Sequence, residues 1–261
     1  MKILLPIAGR GSRFAAQADK NPEYKKPKPF IDVKGYPMVR WATGSLPFVK
    51  HPGQEVTGDL VVESKDFIFV ALKEHNESHN IGKVLQKLFG NEIKIIYLDE
   101  VTRGAAETAL QAKEYINNDE PLLISDSDHF FDGAALSQTI FENPGIDGII
   151  PVFEVPDGNP KWSFSRLGED GYVDLVAEKQ PISIWANIGG YYFGKGKDFV
   201  SIAEETIANN ELTNNEFYIA PLYNKLIARG GKVKLAFPKY VFGLGTPADL
   251  EYFIHNTDYK L

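Results

Sequence analysis

Short apolar runs rich in β-branched and aromatic residues alternate with helical patterns through the first half of the chain. Strands are predicted for the runs at 3–7, 67–72, 93–98 and 121–124. Helices are predicted between them, at 38–46, around the apolar positions 81, 84, 85 and 88, and at 105–116. Near-continuous apolar strands separated by helices are typical of a parallel sheet covered on both faces, so we expect an α/β fold.

From Gly148 onward the pattern favours strands that follow one another closely. They are predicted at 149–154, 162–167, 172–178 and 188–193, with a hairpin turn at 168–171. Two helices (199–208 and 217–228), a strand (233–237) and a closing helix capped by Thr246, with Pro247 at its first position, complete the prediction. The segment 51–63 is predicted to be an exposed insertion. We therefore expect one domain over residues 1–261, with an antiparallel elaboration.

Composition narrows the classes of function. The apolar share of 43% and the charged share of 24% are ordinary for a globular protein. A formal charge of −7 favours neither a nucleic acid nor a membrane as partner. The absence of cysteine excludes disulfides, thiol nucleophiles and thiolate metal sites. The opening apolar run is too short to span a membrane and is followed by charged residues, so we expect a cytoplasmic protein.

A glycine-rich loop, A-G-R-G-S-R-F at residues 8–14, follows the first strand directly. Small residues let the backbone approach a ligand, and successive N–H groups in such a turn can bind an anion. The loop is neither a P-loop, because it lacks the Gly-Lys-Ser/Thr ending, nor the dinucleotide fingerprint, because Phe14 stands near the third glycine. A plain strand-to-helix turn remains the alternative interpretation.

A second basic cluster, K-K-P-K-P-F, covers residues 25–30. Prolines on both sides of Lys28 restrict its backbone and thereby aim its side chain. A rigidly held ammonium group can neutralise the charge that grows on a phosphorus centre during displacement. A solvated lysine-rich loop is the alternative.

An apolar strand ends in two carboxylates, Asp126 and Asp128. Ligands of open α/β sheets gather at the carboxyl ends of strands, and hard oxygen donors suit Mg²⁺. A turn or helix cap could explain either aspartate alone. Both together predict a metal site.

The strand followed by G-x-G-S-R-F and then by K-P-K-P-F-I-D-V resembles the sugar-phosphate nucleotidyltransferases, or NDP-sugar pyrophosphorylases, nearly from end to end. This family includes cytidylyltransferase-like members of capsule pathways. The resemblance implies a Rossmann-like three-layer sandwich of the GT-A-like nucleotidyltransferase type, Mg²⁺ as cofactor, and a nucleoside triphosphate bound by Ala8, Gly9, Gly11 and Ser12. It further implies that Arg13 contacts the leaving pyrophosphate and Lys28 the reacting phosphates, and both are predicted to be catalytic.

The same resemblance aligns Ser127-Asp128 with the Gly-Asp pair of the family, which makes Asp128 the first metal ligand and Asp126 a second or supporting one. The chain departs from the family near its C-terminus. Many members carry a second metal-binding Asp just before a Gly-Thr, and here Gly243 occupies that place. Asp249 is interpreted as part of a helix cap.

Base recognition is implied for the stretch 102–110, which resembles the family's G-T-A-x-A-L segment, with Thr102, Gly104 and Glu107 as contacts. An ordinary capped helix is the alternative. Glu107 could accept a hydrogen bond from an exocyclic amine, which favours cytosine.

Acceptor binding is implied for two further segments. Glu178 is predicted to contact acceptor hydroxyls and Lys179 the acceptor phosphate, although an exposed ion pair of no consequence is the alternative. Asn187 and Gly189 match the N-I-G strand of the family's sugar pocket. The nucleotide-binding part is therefore expected at about 1–130 and the acceptor-binding part at about 131–261.

The sequence thus predicts an enzyme that joins an NTP, with CTP, UTP or dTTP favoured, to a sugar 1-phosphate, for surface polysaccharide or capsule precursors. The first alternative is a cytidylyltransferase that takes a non-sugar phosphorylated metabolite, such as a phosphocholine-like or phospho-amino-acid-like acceptor. A glycosyltransferase using residues 126–128 as a D-x-D motif and a non-catalytic nucleotide sensor are weaker alternatives. A homo-oligomer stays open.

Overall fold

The computed structural model describes residues 1–56, 58 and 60–261. Its strands are β1 (Lys2–Ile7), β2 (Asp32–Val33), β3 (Tyr36–Pro37), β4 (Phe67–Leu72), β5 (Lys94–Leu98), β6 (Leu122–Ser125), β7 (His129–Phe131), β8 (Gly148–Glu154), β9 (Ser163–Leu167), β10 (Val173–Glu178), β11 (Trp185–Asn187), β12 (Gly190–Phe193), β13 (Val233–Ala236) and β14 (Val241–Gly243). Its α-helices are α1 (Ser12–Ala15), α2 (Met38–Gly44), α3 (Lys73–His79), α4 (Ile81–Phe89), α5 (Ala105–Leu110), α6 (Lys113–Ile116), α7 (Gly133–Glu142), α8 (Gly196–Ala208), α9 (Leu222–Ala228) and α10 (Pro247–Asn256).

A ten-stranded sheet forms the centre of the molecule, in the order β10-β9-β11-β8-β12-β6-β1-β4-β5 with β13 beside β8. The pairs β6–β1, β1–β4 and β4–β5 are parallel. Strand β12 pairs antiparallel with both β6 and β8, and β11, β9 and β10 continue the antiparallel part. The predicted α/β class, with a parallel core and an antiparallel elaboration, is confirmed.

Side chains on the two faces of the sheet enter two separate cores, as the alternation of a β-strand requires. Along β1, Leu4 faces a core that also contains Phe199 of α8 and Tyr223 of α9. Its neighbours Ile3 and Leu5 face the opposite core, with residues of α2, α4 and α7. Helices on both faces of one sheet make the predicted three-layer sandwich.

A third, mostly aromatic cluster lies at the edge of these layers. Trp41 of α2 contacts Phe130 of β7 and Phe253 of α10 edge-to-face, with ring centroids 5.1 and 5.0 Å apart. Phe14, at the end of the glycine-rich loop, is buried in the same cluster. Its ring packs edge-to-face on Tyr24 at 5.1 Å. The cluster therefore holds the two N-terminal basic motifs beside α10 and beside β7, the strand that follows the acidic motif.

Most predicted elements are present, with shifted ends. The hairpin turn at 168–171 is confirmed by the bond from the Gly168 N–H to the Tyr172 carbonyl, at 2.8 Å. The cap of α10 is confirmed, since Thr246 accepts from the Asp249 N–H. Within the described residues, helices are too short or too polar to cross a bilayer.

Other predictions need correction. The helix predicted at 105–116 is divided into α5 and α6, and the helix predicted at 217–228 begins only at Leu222. The strand predicted at 188–193 begins at Gly190, because Gly189 turns the chain with φ +99°. The segment 51–63 is not exposed throughout, since His51 and Val62 are buried at its ends, while Thr57 and Asp59 lie outside the described residues.

Candidate active site

The glycine-rich loop packs directly against the segment that carries Lys28. Gly11 has a left-handed φ of +64° and precedes α1. A Cβ atom there would lie 3.0 Å from the Cβ of Lys28 and 3.4 Å from its backbone nitrogen. Only glycine combines this backbone conformation with so close an approach. The two basic motifs of the sequence therefore form one surface.

Lys28 joins this basic surface to the acidic end of β6. Lys28 lies between two prolines and is the first residue of a one-turn 3₁₀ helix, Lys28–Phe30. Its ammonium nitrogen donates to Asp128 Oδ2 at 2.8 Å. One hundred residues separate the two partners in the chain. The structure thus brings together two motifs that were predicted separately.

Two glycines make room for the carboxylates that follow β6. A Cβ atom on Gly189 would lie 2.5 Å from Asp126 Oδ2, and one on Gly245 would lie 2.6 Å from Asp128 Oδ2. Backbone hydrogen bonds join the same segments of the chain. The Asp126 N–H donates to the Gly189 carbonyl and the Leu244 N–H donates to the Asp128 carbonyl, both at 2.7 Å. Both carboxylates are consequently held by backbone from the C-terminal half.

The two carboxylates differ in their affinity for a proton. Burial, and then the negative charge of Asp128, raises the pKa of Asp126 to about 7. Burial also opposes ionisation of Asp128, but the Lys28 ammonium outweighs it and lowers the pKa of Asp128. Neighbouring His129 is buried, and this burial lowers its pKa to about 4, so it is neutral at pH 7. Without a further cation, this site holds the charge of one carboxylate readily and that of two with difficulty.

The predicted acceptor residues Glu178 and Lys179 line the same cavity as this pair. Glu178 is buried, accepts a hydrogen bond from Ser163, and has its pKa raised by burial. Lys179 adopts a left-handed φ of +55°, a strained conformation for a non-glycine residue. Its ammonium donates to Tyr218 Oη at 2.8 Å. Backbone strain of this kind is concentrated at functional sites, which is consistent with the predicted role.

A cavity of about 310 Å³ contains most of these side chains. The predicted site residues that line it are Arg13, Asp126, Asp128, Glu178, Lys179, Asn187 and Gly189. Asn187 is buried and accepts from Ser165 Oγ at 2.7 Å, and its side-chain nitrogen has no hydrogen-bond partner within the described residues. Beside the cavity this residue therefore holds a buried amide donor that is not satisfied by the described residues.

Sequence reasoning missed part of the cavity wall. Lys161 lines the cavity and its ammonium contacts both carboxylate oxygens of Asp249, at 2.9 and 3.0 Å. Asp249 does cap α10 as expected, but it also lines the cavity. Gly245 was likewise not predicted. A loop lysine and a capping aspartate carry no pattern in the sequence that would mark them as partners.

The remaining predicted nucleotide contacts lie outside this cavity lining: Ala8, Gly9, Gly11, Ser12, Thr102, Gly104 and Glu107. Glu107 is paired with Arg103, whose N–H and guanidinium donate to it at 2.6 and 2.8 Å. Gly104 packs on the Phe217 backbone, where a Cβ atom would lie 2.5 Å from two of its atoms. Base recognition by these residues stays a prediction.

The carboxylate pair suits a hard divalent cation. Asp126 and Asp128 supply oxygen donors, and in the free chain the Lys28 ammonium occupies one oxygen of Asp128. Among the described residues, three or more His, Cys, Asp or Glu side chains nowhere gather in a metal-binding group. Mg²⁺ commonly binds through one or two carboxylates and completes its coordination with phosphate oxygens and water. The residues present therefore fit Mg²⁺ that arrives with a nucleotide.

Solved structures resemble the whole chain. A nucleoside-diphosphate-sugar pyrophosphorylase from Vibrio cholerae RC9 is 26% identical, superposes with a TM-score of 0.74, and matches over 97% of this chain and 99% of its own. The chain is a structural relative of the sugar-phosphate nucleotidyltransferases. The resemblance predicted from the motifs is thereby confirmed, as is the predicted class of nucleotidyltransferase enzymes.

Two more distant neighbours show the fold alone. The inositol-1-phosphate CTP transferase from T. maritima is 18% identical with a TM-score of 0.69, covering 95% of this chain and 90% of its own. A putative glucose-1-phosphate thymidylyltransferase from Bacillus anthracis, in complex with a sucrose, is 19% identical with a TM-score of 0.71, covering 100% and 98%. No family model matches this chain, and no curated protein matches it.

Proposed function

We propose that the chain is a nucleotidyltransferase that couples an NTP to a sugar 1-phosphate and releases pyrophosphate and an NDP-sugar. The observation that carries the proposal is the 2.8 Å contact between Lys28 and Asp128. The contact joins Lys28, which one motif predicts to be catalytic, to Asp128, which another motif predicts to be a metal ligand. The pyrophosphorylase neighbour, which matches nearly the full length of both chains, supports the same reaction.

In this reaction an oxygen of the acceptor phosphate attacks the α-phosphorus of the NTP. A new P–O bond forms, the bond from the α-phosphorus to the bridging oxygen of the β-phosphate breaks, and pyrophosphate leaves with that electron pair. Lys28 and Arg13 stabilise the negative charge on the reacting and leaving phosphates. The mechanism needs no covalent nucleophile from the protein, because holding the two phosphates in line supplies much of the barrier reduction.

Asp126 and Asp128 would hold Mg²⁺, which when bound neutralises phosphate charge and orients the triphosphate. The chain carries a formal charge of −7, so local cations must overcome an unfavourable overall field. Lys28 and Arg13 are the protein cations proposed for this purpose, and Mg²⁺ would add to their positive charge. Magnesium therefore fits as the cofactor of the proposed reaction.

The acceptor is assigned to the antiparallel part of the sheet. Lys179 is suited to its phosphate, buried Glu178 to its hydroxyl donors, and the free amide of Asn187 to an acceptor oxygen. The nucleotide-binding part at about 1–130 and the acceptor-binding part at about 131–261 thus act as one site. We propose that the enzyme acts in the cytoplasm, where an NTP is available, and that its product is a precursor of surface polysaccharide or capsule.

A cytidylyltransferase with a non-sugar acceptor is the second candidate. Gly243 lines the cavity at the place where the motif resemblance leads us to expect a second metal-binding Asp, and this departure from the family pattern supports the second candidate. A glycosyltransferase would leave Arg13 and Lys28 without a role.

The decisive experiment measures pyrophosphate release with Mg²⁺ over a matrix of CTP, UTP, dTTP, GTP and ATP against sugar 1-phosphates, phosphocholine and other small phosphates. We expect one donor and acceptor pair to dominate. A blank matrix, together with release of a free nucleotide from an NDP-sugar, would overturn the proposal in favour of glycosyl transfer.

A further inference from the structure

Tyr218 stands beside Lys179 on the wall of the cavity. Its hydroxyl oxygen accepts a hydrogen bond from the Lys179 ammonium at 2.8 Å, and the ammonium lies 5.0 Å from the centroid of its ring. An ammonium group can only donate, so the hydroxyl is the acceptor in this contact and keeps its own proton for another partner. Among the described residues, this hydroxyl makes no second hydrogen bond. An O–H donor and a charged N–H donor thus lie side by side at the cavity.

The residue before Tyr218 fixes its backbone. Phe217 is buried, with 1% of its surface exposed. Its N–H donates to the Arg103 carbonyl and its carbonyl accepts from the Ala106 N–H, both at 2.9 Å. The Arg103 guanidinium also lies 4.7 Å from the centroid of the Phe217 ring. The chain therefore enters Tyr218 from a position held on both sides of one peptide unit.

A tight turn precedes this buried phenylalanine. The Thr213 N–H donates to the Glu216 carbonyl at 3.0 Å, and the Glu216 N–H donates to the Thr213 carbonyl at 2.9 Å. Between them, Asn214 and Asn215 have left-handed φ values of +49° and +65°. Positive φ at both central residues is typical of a type I′ turn, and asparagine tolerates it well. The whole segment 213–218 is thus held by its own backbone before any ligand binds.

The lysine is restrained as well. Lys179 has a left-handed φ of +55°, and its N–H donates to the Trp162 carbonyl at 3.0 Å. The hydrogen bond to Tyr218 and the nearby carboxylates Glu178 and Glu216 outweigh burial and raise the pKa of Lys179, so its ammonium is charged at pH 7. Two adjacent donors, one of them charged and both placed by backbone contacts, are suited to an oxyanion.

We propose that Tyr218 binds the acceptor phosphate together with Lys179. A phosphate oxygen replaces the Tyr218 oxygen as the acceptor of the Lys179 N–H, and the Tyr218 O–H donates to the same phosphate. In the free chain, the contact between the two side chains holds the ammonium where the phosphate arrives, which reduces the loss of side-chain freedom on binding. A sugar 1-phosphate and a non-sugar phosphate both carry this group. The inference rests on the proposed function, because it concerns the phosphate of the same acceptor.

The first test compares Tyr218→Phe with Tyr252→Phe in the pyrophosphate assay. Phenylalanine keeps the ring beside Lys179 and removes only the hydroxyl. Tyr252 is the control, because it is 60% exposed and lies outside the cavity lining. For Tyr218→Phe we expect an acceptor KM raised at least about tenfold, with the NTP KM unchanged, as for the loss of a hydrogen bond to a charged group. An unchanged acceptor KM, or an equal rise in both KM values, would overturn the proposal.

A double-mutant cycle separates phosphate binding by Tyr218 from mere support of Lys179. In the Lys179→Met background, Tyr218→Phe should still raise the acceptor KM at least about threefold, because its hydroxyl contacts the phosphate itself. If Tyr218→Phe has no further effect once Lys179 is replaced, the hydroxyl acts only through the lysine, and its contact with the phosphate is refuted.

The last test reads binding without catalysis, by calorimetric titration of the wild type and the same variants with inorganic phosphate in the absence of NTP and Mg²⁺. We expect the affinity for phosphate to fall about tenfold in Tyr218→Phe and to stay at the wild-type value in Tyr252→Phe. Equal affinities in the wild type and Tyr218→Phe would overturn the proposal. A protein that releases no pyrophosphate with any acceptor, yet binds phosphate through Tyr218, would instead refute the proposed function.

Discussion

Replacing Lys28 by alanine should change metal binding and turnover in opposite directions. In the free chain the Lys28 ammonium contacts Asp128 at 2.8 Å and competes with a metal for that carboxylate. The two side chains remain 28% and 22% exposed, so solvent screening limits their pair to about 1 kcal/mol. Removing the ammonium should therefore tighten Mn²⁺ binding to the nucleotide-free protein about fivefold.

Turnover should fall in the same variant. Once substrates are bound, Lys28 is expected to stabilise charge on the reacting phosphates, and losing one such group costs about 100- to 1000-fold in kcat, or about 3–4 kcal/mol. Lys25→Ala is the matched control, because Lys25 is an exposed member of the same basic cluster. It should leave both quantities near the wild-type values.

The assays are Mn²⁺ titration by electron paramagnetic resonance and initial rates of pyrophosphate release at saturating substrates. A Lys28→Ala enzyme with kcat within about threefold of the wild type would refute the catalytic role. Weaker Mn²⁺ binding in that variant would show that Lys28 organises the Asp128 carboxylate rather than competing for it, and would refute the predicted competition.

Three further predictions concern the supporting residues. Asp128→Asn should lower kcat at least about 100-fold and weaken Mn²⁺ binding, and unchanged Mn²⁺ affinity would contradict the assignment of this ligand. In urea unfolding, Gly189→Ala should destabilise the protein by more than Gly171→Ala. Both glycines have a positive φ, but only a Cβ atom at position 189 would lie 2.5 Å from Asp126 Oδ2. Equal losses of stability in the two variants would argue against this contact. Burial lowers the pKa of His51 to about 3, below the value near 6.5 in the unfolded chain, so the free energy of unfolding should fall by up to about 1.4 kcal/mol per pH unit as the pH decreases between these values. The variant His51→Phe should flatten this decline. An unchanged dependence of stability on pH in that variant would disprove the prediction.

The parallel half of the sheet could be predicted because its strands carry their own signal. Every residue of β4 is buried, and such a strand reads as a continuous apolar run. Strands β7 and β14 were missed because each has three residues and pairs only with the other, more than 100 positions away. Helix α7 was missed too, since Phe141 on it is 79% exposed and obscures the apolar periodicity.

Candidate site residues such as Lys28 and Asp128 could be selected from the sequence because one short motif carries each of them. Contacts between motifs were not. The pair Lys161–Asp249 joins positions 88 residues apart, and nothing in either local pattern requires the other. The same holds for Gly243, where a Cβ atom would lie 3.2 Å from Cη2 of Trp162, because only the folded chain brings these two segments together.

Three ammonium groups around the cavity have partners within the protein. Lys28 is bound to Asp128, Lys161 to Asp249, and Lys179 to the hydroxyl of Tyr218. An anionic substrate that recruits one of these cations must replace an existing contact, so part of its attraction is spent on the exchange. This cost weakens binding of the substrate in the ground state. The additional negative charge of the transition state then interacts with ammonium groups that are already released from their partners in the protein. In the proposed reaction this arrangement would favour turnover over tight substrate binding, which is how binding energy contributes to catalysis.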